Sequence, residues 1–264
     1  MFNKLVVIRG AGDLATAIGH KLFNVGFKVV MTEIATPKVV RRTVSFANCI
    51  YEGNMVVEGV ESIQGNKEDI DDLLNNNKIP VVVDPDGTII KELKPHIVID
   101  AIMAKRNIGT SIEDAPIVIG IGPGFEASVD VHAVVETMRG HDLGRIIYEG
   151  KPKGDTGIPG PIGGYGKERL LRAPYKGKII TNSHIGDLVK KGQIIGTVKG
   201  EEVRAQIDGV LRGLIKSGTE VKEREKVGDI DPRGEISYCY TISDKGRNIA
   251  GGVLEAILTL MKDG

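Results

Sequence analysis

The second half of this 264-residue chain contains one stretch twice. Gly177 is matched by Gly209, Gly186 by Gly218, Val189 by Val221, Lys190 by Lys222, Ile195 by Val227, Gly196 by Gly228 and Val198 by Ile230, each pair 32 residues apart. A fixed period of glycine turns and aliphatic positions constrains architecture more than any single strand does. Each copy reads as about four short strands with tight turns, and two copies can close as a small pseudo-two-fold β barrel-sandwich.

The first half reads differently. LVVIR (5–9) is a short apolar strand, GAGDLA (10–15) a glycine turn, and Leu14, Ile18, Leu22 and Phe23 recur at helical spacing before Gly26. KVVMTE (28–33) returns to strand, completing a βαβ unit. Residues 67–76 predict a helix, residues 79–84, 96–102, 116–121 and 144–148 predict strands, and 130–138 predict another helix. Val- and Ile-rich runs with little alternation are how parallel strands covered on both faces read. GKPKGDTGIPGPIGGYG (150–166) is too rich in Gly and Pro for a regular element and reads as a linker or an ordered loop. At the tail, Ser243 caps a helix with Asp244 in its first turn and an apolar stripe at Ile249, Val253, Ile257 and Leu260. The expected fold class is α/β. It comprises a Rossmann-like parallel-sheet domain (1–150), a connecting loop (151–172), a barrel-sandwich domain (173–234), and a C-terminal strand and helix packing back on the core (235–264).

Composition narrows the partners. Lys plus Arg and Asp plus Glu both number 35, a balance that argues against a protein built to neutralise nucleic-acid phosphates. No apolar run approaches the ~20 residues of a membrane span. Neither nucleic acid nor a membrane is therefore expected. Cys49 and Cys239 are far apart, no CxxC occurs, and no basic-then-apolar leader is seen, which predicts a cytoplasmic protein. His132 and His141 lack a metal-ligand partner at i+4, so no metal site is expected.

GAGDLA fits the dinucleotide fingerprint G-x-G-x-x-G/A. The first glycine permits the turn, the second lets pyrophosphate approach the backbone, and the small sixth residue lets helix and strand pack. Gly10, Ala11, Gly12, Asp13 and Leu14 are the expected cofactor-binding residues, with the helix N-terminus favouring an anion. Glu33, 21 residues after Gly12, stands where a ribose-binding acid belongs. An acid there favours NAD or another adenine nucleotide over NADP, a preference tempered by Arg41 and Arg42. Gly122 and Gly124 join this group, since ligands of open parallel sheets sit beyond the strands' carboxyl ends. On the same edge Lys105 and Arg106 suit a phosphate or carboxylate, Asp100 can orient them or act as a base, and His141 is the fourth catalytic candidate. No P-loop, nucleophile elbow, HExxH or Ser-Tyr-Lys set occurs, so whether the chain is an enzyme is left open.

Strung together, GAGDLAT (10–16), VVMTE (29–33), RRTVSFA (41–47), DAIMAKRNIGT (100–110), IGPGFEASVDVHAVVETMRGHDLGR (121–145), TGIPG (156–160), VLRGLIKSGTEV (210–221), DIDPR (229–233) and TISDK (241–245) resemble a known family. It is the selenium-dependent molybdenum hydroxylase accessory family (YqeB-type), distantly related to xanthine dehydrogenase maturation factors. The resemblance implies a cytoplasmic maturation factor that binds a nucleotide or dinucleotide at GAGDLA. It also implies a molybdenum-cofactor or selenium species as further ligand and a client molybdenum hydroxylase as partner. The repeat module is similar in architecture to lipoyl and biotinyl carrier domains. A homodimer built on that module and the tail helix is compatible with the sequence. The rival readings are an NAD-dependent oxidoreductase acting on a small substrate and a non-catalytic adapter.

Overall fold

The computed structural model describes residues 4–157 and 159–262. Ile158, within the TGIPG string, lies outside them. Two compact units form. The first comprises residues 1–37, 45–156 and 242–264, the second residues 38–44 and 157–241.

The first unit is built on nine strands: β1 (Leu5–Arg9), β2 (Lys28–Glu33), β3 (Asn54–Val57), β4 (Val60–Gly65), β5 (Ile79–Val83), β6 (Ile97–Asp100), β7 (Ile117–Ile121), β8 (Ala133–Val135) and β9 (Ile146–Ile147). They form one sheet in the order β3-β4-β5-β2-β1-β6-β7-β8-β9. Its central strands are apolar on both sides because both sides are covered. Val7, Val30, Val98, Val118 and Val134 pack beneath Ile70 of α3 (Ile70–Asn75), Ile89 and Ile90 of α4 (Ile89–Leu93), and Phe125. On the other face Gly19 lets α1 (Asp13–Asn24) lie close to the sheet; a Cβ there would stand 3.3 Å from Met31 Sδ and 3.6 Å from Ile8 Cδ1. The tail helix α5 (Asp244–Leu260) packs along α1, its Ser243 side chain accepting the Gly246 N–H. Each fully buried aliphatic side chain contributes about 1.5–3 kcal/mol.

The second unit contains β10 (Leu170–Arg172), β11 (Gly177–Thr181), β12 (Leu188–Val189), β13 (Ile194–Val198), β14 (Glu201–Arg204), β15 (Gly209–Leu214), β16 (Glu220–Val221) and β17 (Lys226–Asp231). They make two antiparallel four-stranded sheets, β10-β17-β15-β12 and β14-β13-β11-β16. Adding 32 to the residue numbers carries β10, β11, β12 and β13 onto β14, β15, β16 and β17, and one sheet order onto the other.

The fold-class expectation is corrected. The large sheet is mixed, not parallel: β3 and β9 run antiparallel to their neighbours at its two edges. The crossovers at 101–116 and 122–132 contain no helix. The pairing of a Rossmann-like domain with a lipoyl/biotinyl-like barrel-sandwich is not retained: the partners are a mixed sheet and two open four-stranded antiparallel sheets. Buried Val and Ile runs specify strands covered on both faces, but they say nothing of the direction of short edge strands. The helix expected over 130–138 is β8, whose Ala133, Val134 and Val135 are wholly buried beside β7. The strand expected after residue 235 is a 3-10 turn at Ile236–Cys239.

Candidate functional site

Seven parallel strands end on one edge of the large sheet, and the strand order reverses there between β1 and β6. Ligands of open α/β sheets bind beyond the carboxyl ends of strands at such a reversal. Gly10 opens the β1–α1 turn with φ 92°, and its N–H donates to Thr32 O at 2.8 Å. A Cβ on Gly10 would stand 3.1 Å from the Ala101 carbonyl oxygen and Ile102 Cα, so this turn abuts the loop leaving β6. The Ala11 carbonyl accepts the Ala47 N–H at 2.8 Å and the Thr16 hydroxyl at 3.2 Å. Gly12 is the N-cap of α1, and no side chain caps that end. The first-turn N–H groups of a helix have no partner within it and carry the positive end of its dipole. Asp13 and Leu14, in that turn, are half-buried.

Glu33 closes this turn. Its Oε2 accepts the Ala11 N–H at 3.0 Å and its Oε1 the Ile34 N–H at 2.9 Å. Burial pushes its carboxyl above the usual carboxylate range, against the pull of these two N–H groups. The carboxylate is thus committed to its own turn instead of facing a ribose, which removes the ground on which NAD was expected.

Asp100 is 2% exposed and ends β6 opposite Arg9 of β1. The Arg9 guanidinium donates to the Thr110 hydroxyl at 2.5 Å, which donates to Asp100 Oδ2 at 2.6 Å; Asp100 Oδ1 accepts the Ile102 N–H at 3.1 Å. Burial raises the Asp100 carboxyl, opposed by Thr110, Ile102 and Arg9. The cluster anchors both ends of the 101–110 loop. Asn107 closes that loop by accepting the Gly109 and Thr110 N–H groups. Within it Met103 (φ 62°) and Lys105 (φ 63°) adopt left-handed backbone, a strained state that concentrates at ligand clamps. Lys105 and Arg106 are exposed, and Lys105 Nζ lies 2.6 Å from Asp155 Oδ2.

Gly124 (φ 116°) lets the loop after β7 touch that segment: a Cβ there would stand 2.6 Å from the Arg106 backbone nitrogen. Gly122 donates its N–H to Val135 O at 2.9 Å and lies against Thr137. The residues of the β1–α1 turn, Asp100, Lys105, Arg106 and Gly124 therefore share one edge through contiguous backbone. His141 is exposed between β8 and β9, beside Asp142, whose carboxyl is held low by Lys153. Among the described residues no group of three or more His, Cys, Asp or Glu is placed to hold a metal ion.

The sequence reading missed Glu136. It is 2% exposed at the end of β8 and accepts the Thr137, Met138 and Lys153 N–H groups. A lone acid directly after a Val-Val run is its only signal. It also missed a charge network in the second unit. Asp229 binds Arg169 at 2.8 Å and Arg212 Nε at 2.9 Å; Asp231 binds Arg212 at 2.9 Å and Arg233 at 2.7 Å. Arg169 also donates to Gly160 O at 3.0 Å, and Arg233 lies 4.4 Å over the Tyr238 ring. The signal was charged residues inside the VLRGL and GDID strands.

No protein-family model matches the chain. It is 46% identical over 263 residues to the uncharacterized protein YqeB of Escherichia coli K12, covering 99% of this chain and 49% of that protein. The chain thus spans about half the length of the curated relative it matches. Solved structures with some likeness include a succinylglutamate desuccinylase from Silicibacter (12% identity, TM-score 0.26) and an aspartoacylase family protein from Mesorhizobium loti (10%, TM-score 0.28), each aligned over 87% of this chain and 85% of the other. The ectoine utilization protein EutE of Ruegeria pomeroyi is 13% identical over the same shares, with a TM-score of 0.26. At such identities and scores these likenesses carry no argument about activity. They and the YqeB match bring no molybdenum hydroxylase, selenium or NAD with them. The accessory-family identification, the maturation role, the oxidoreductase and adapter alternatives and the NAD assignment are therefore withdrawn. Among the described residues no helix is long and apolar enough to cross a membrane.

Proposed function

We propose that the chain binds a small phosphate-bearing ligand, with adenine nucleotides the class to test first, at the carboxyl edge of the large sheet between the 10–14 turn and the 101–106 loop. The observation that carries this reading is the N-terminus of α1, whose cap residue Gly12 has no side chain to occupy it, set at the strand-order reversal and backed by Gly10 against Ala101. Lys105 and Arg106 bring two exposed cations to the same edge, suited to phosphate oxygens. Ile34 (42% exposed), Val83 (39%) and Ile108 (39%) offer apolar surface there for a flat base. The reading is one of recognition and assigns no chemical step, since Glu33, Asp100 and Glu136 are occupied with backbone or hydroxyl donors.

Calorimetric titration with AMP, ATP and pyrophosphate tests it. Binding near micromolar Kd, about −8 kcal/mol, is expected, with loss on Gly12→Val and at least tenfold weakening in the Lys105→Ala, Arg106→Ala double variant. No binding of any probe, or equal binding by the folded double variant, overturns it. A cytoplasmic location belongs to the same proposal: Cys49 and Cys239 are buried and unbridged, which fits a reducing compartment. Recovery of the protein from an oxidising compartment on cell fractionation would contradict it.

A further inference from the structure

Residues 150–156 form no regular element, yet they cross three loops of the same sheet edge. Alternate side chains point to alternate partners. Lys151 pairs with Glu126 after β7 at 3.1 Å, Lys153 with Asp142 after β8 at 2.5 Å, and Asp155 with Lys105 after β6 at 2.6 Å. The Lys153 N–H donates to Glu136 Oε2 at 2.8 Å, and Gly150 O accepts the Ala127 N–H at 2.8 Å. Glycines stand at 150, 154 and 157, with φ 86° at Gly150 and 65° at Gly157. The three ion pairs are open to solvent, with only the Asp142 side chain half-buried, and such pairs hold only weakly. The segment is therefore held firmly at the Lys153 N–H by the buried Glu136 carboxylate and only weakly through its side-chain ion pairs, and it is flanked by residues that can take up a large backbone change.

Asp155 is the informative member. It places a carboxylate on the exposed cation of the strained 103–105 stretch, where an incoming anion would bind. We propose that residues 150–156 are an autoinhibitory strap, with Asp155 an internal competitor that a phosphate-bearing ligand must displace from Lys105. The inference rests on the phosphate-site reading above. On ligand binding the Lys105–Asp155 pair opens, the segment lifts, and the strap reports occupancy of the site. No covalent step is involved.

Pyrophosphate titration at low ionic strength tests it, using wild type, Asp155→Asn, Asp155→Glu and Lys105→Ala, with trypsin cleavage after Lys153 as a second readout. Lys151 precedes Pro152, so Lys153 is the strap's cleavable site. Asp155→Asn is expected to tighten pyrophosphate about two- to fivefold, the fold-change equivalent of one exposed ion pair, and to speed cleavage after Lys153. Asp155→Glu should behave as wild type, and the gain should vanish when Lys105→Ala is also present. Saturating pyrophosphate should speed the same cleavage in wild type. If Lys105→Ala binds as well as wild type, the phosphate site itself fails. If Lys105→Ala weakens binding while Asp155→Asn changes neither affinity nor cleavage, the site stands and the strap is refuted.

Discussion

The Glu33 carboxylate accepts the Ala11 main-chain N–H at 3.0 Å, tying the end of β2 to the turn that opens α1. Replacing it with glutamine leaves one acceptor for two N–H groups, Ala11 and Ile34. Glu33→Gln should cost about 1–2 kcal/mol in urea unfolding. The cost should depend on pH in a defined direction. Burial raises the folded carboxyl above its unfolded value. Its contribution is therefore full below the unfolded pKa and fades as pH rises through the folded one. The penalty of Glu33→Gln should be largest in acid and shrink toward neutrality; a penalty that grows with pH would show that the folded carboxyl is not raised.

Gly124→Ala places a Cβ 2.6 Å from the Arg106 nitrogen at φ 116°. Either the loop after β7 or the 101–106 loop must move. The expected cost is about 1–3 kcal/mol, with at least fivefold weaker pyrophosphate binding. Unchanged stability and affinity would mean that the two loops do not hold each other.

In the second unit Asp229 lies between Arg169 and Arg212, all three at most 9% exposed. Asp229→Asn leaves two buried guanidinium groups under-compensated and should cost about 3–5 kcal/mol, read as a lower denaturation midpoint. The neighbouring Asp231 gives a pH signature. Burial alone would raise its carboxyl, but the Arg233 hydrogen bonds and Arg212 outweigh it and hold it low. Its stabilisation is present above the unfolded pKa near 3.8 and is lost as pH falls through the depressed folded value. Wild type should thus lose more stability than Asp231→Asn on acidification.

Burial pushes the Cys49 thiol up to about 12, with the Ser62 hydrogen bond opposing and the Glu33 charge adding to the rise. A thiol so rarely ionised should not react with a disulfide reagent at about pH 8. Both cysteines should become titratable only on unfolding, and prompt native labelling at Cys49 would contradict its buried position.

The strands were legible where a run of Val and Ile is buried on both faces, as in LVVIR and PIVIGI, because that pattern follows from local burial alone. Direction was not. Asn54–Val57 and Ile146–Ile147 are short, and only their neighbours make them antiparallel. The glycine turn was legible as a turn, since φ 92° at residue 10 demands glycine. What Glu33 does was not, because spacing of 21 residues fixes where an acid stands but not whether it faces outward or folds back. Glu136 and the Lys105–Asp155 pair depend on loops meeting across the sheet, which no window of sequence contains.

The 32-residue repeat has a consequence for assembly. Each four-stranded sheet takes two strands from residues 170–198 and two from residues 201–231. Neither copy owns a sheet, so neither half can fold as a separate piece. At high concentration two chains can satisfy the same strand pairings by trading halves across the 199–200 connection. Crowded refolding should therefore yield an interlocked dimer with native secondary structure, slow to separate because separation requires both partners to open.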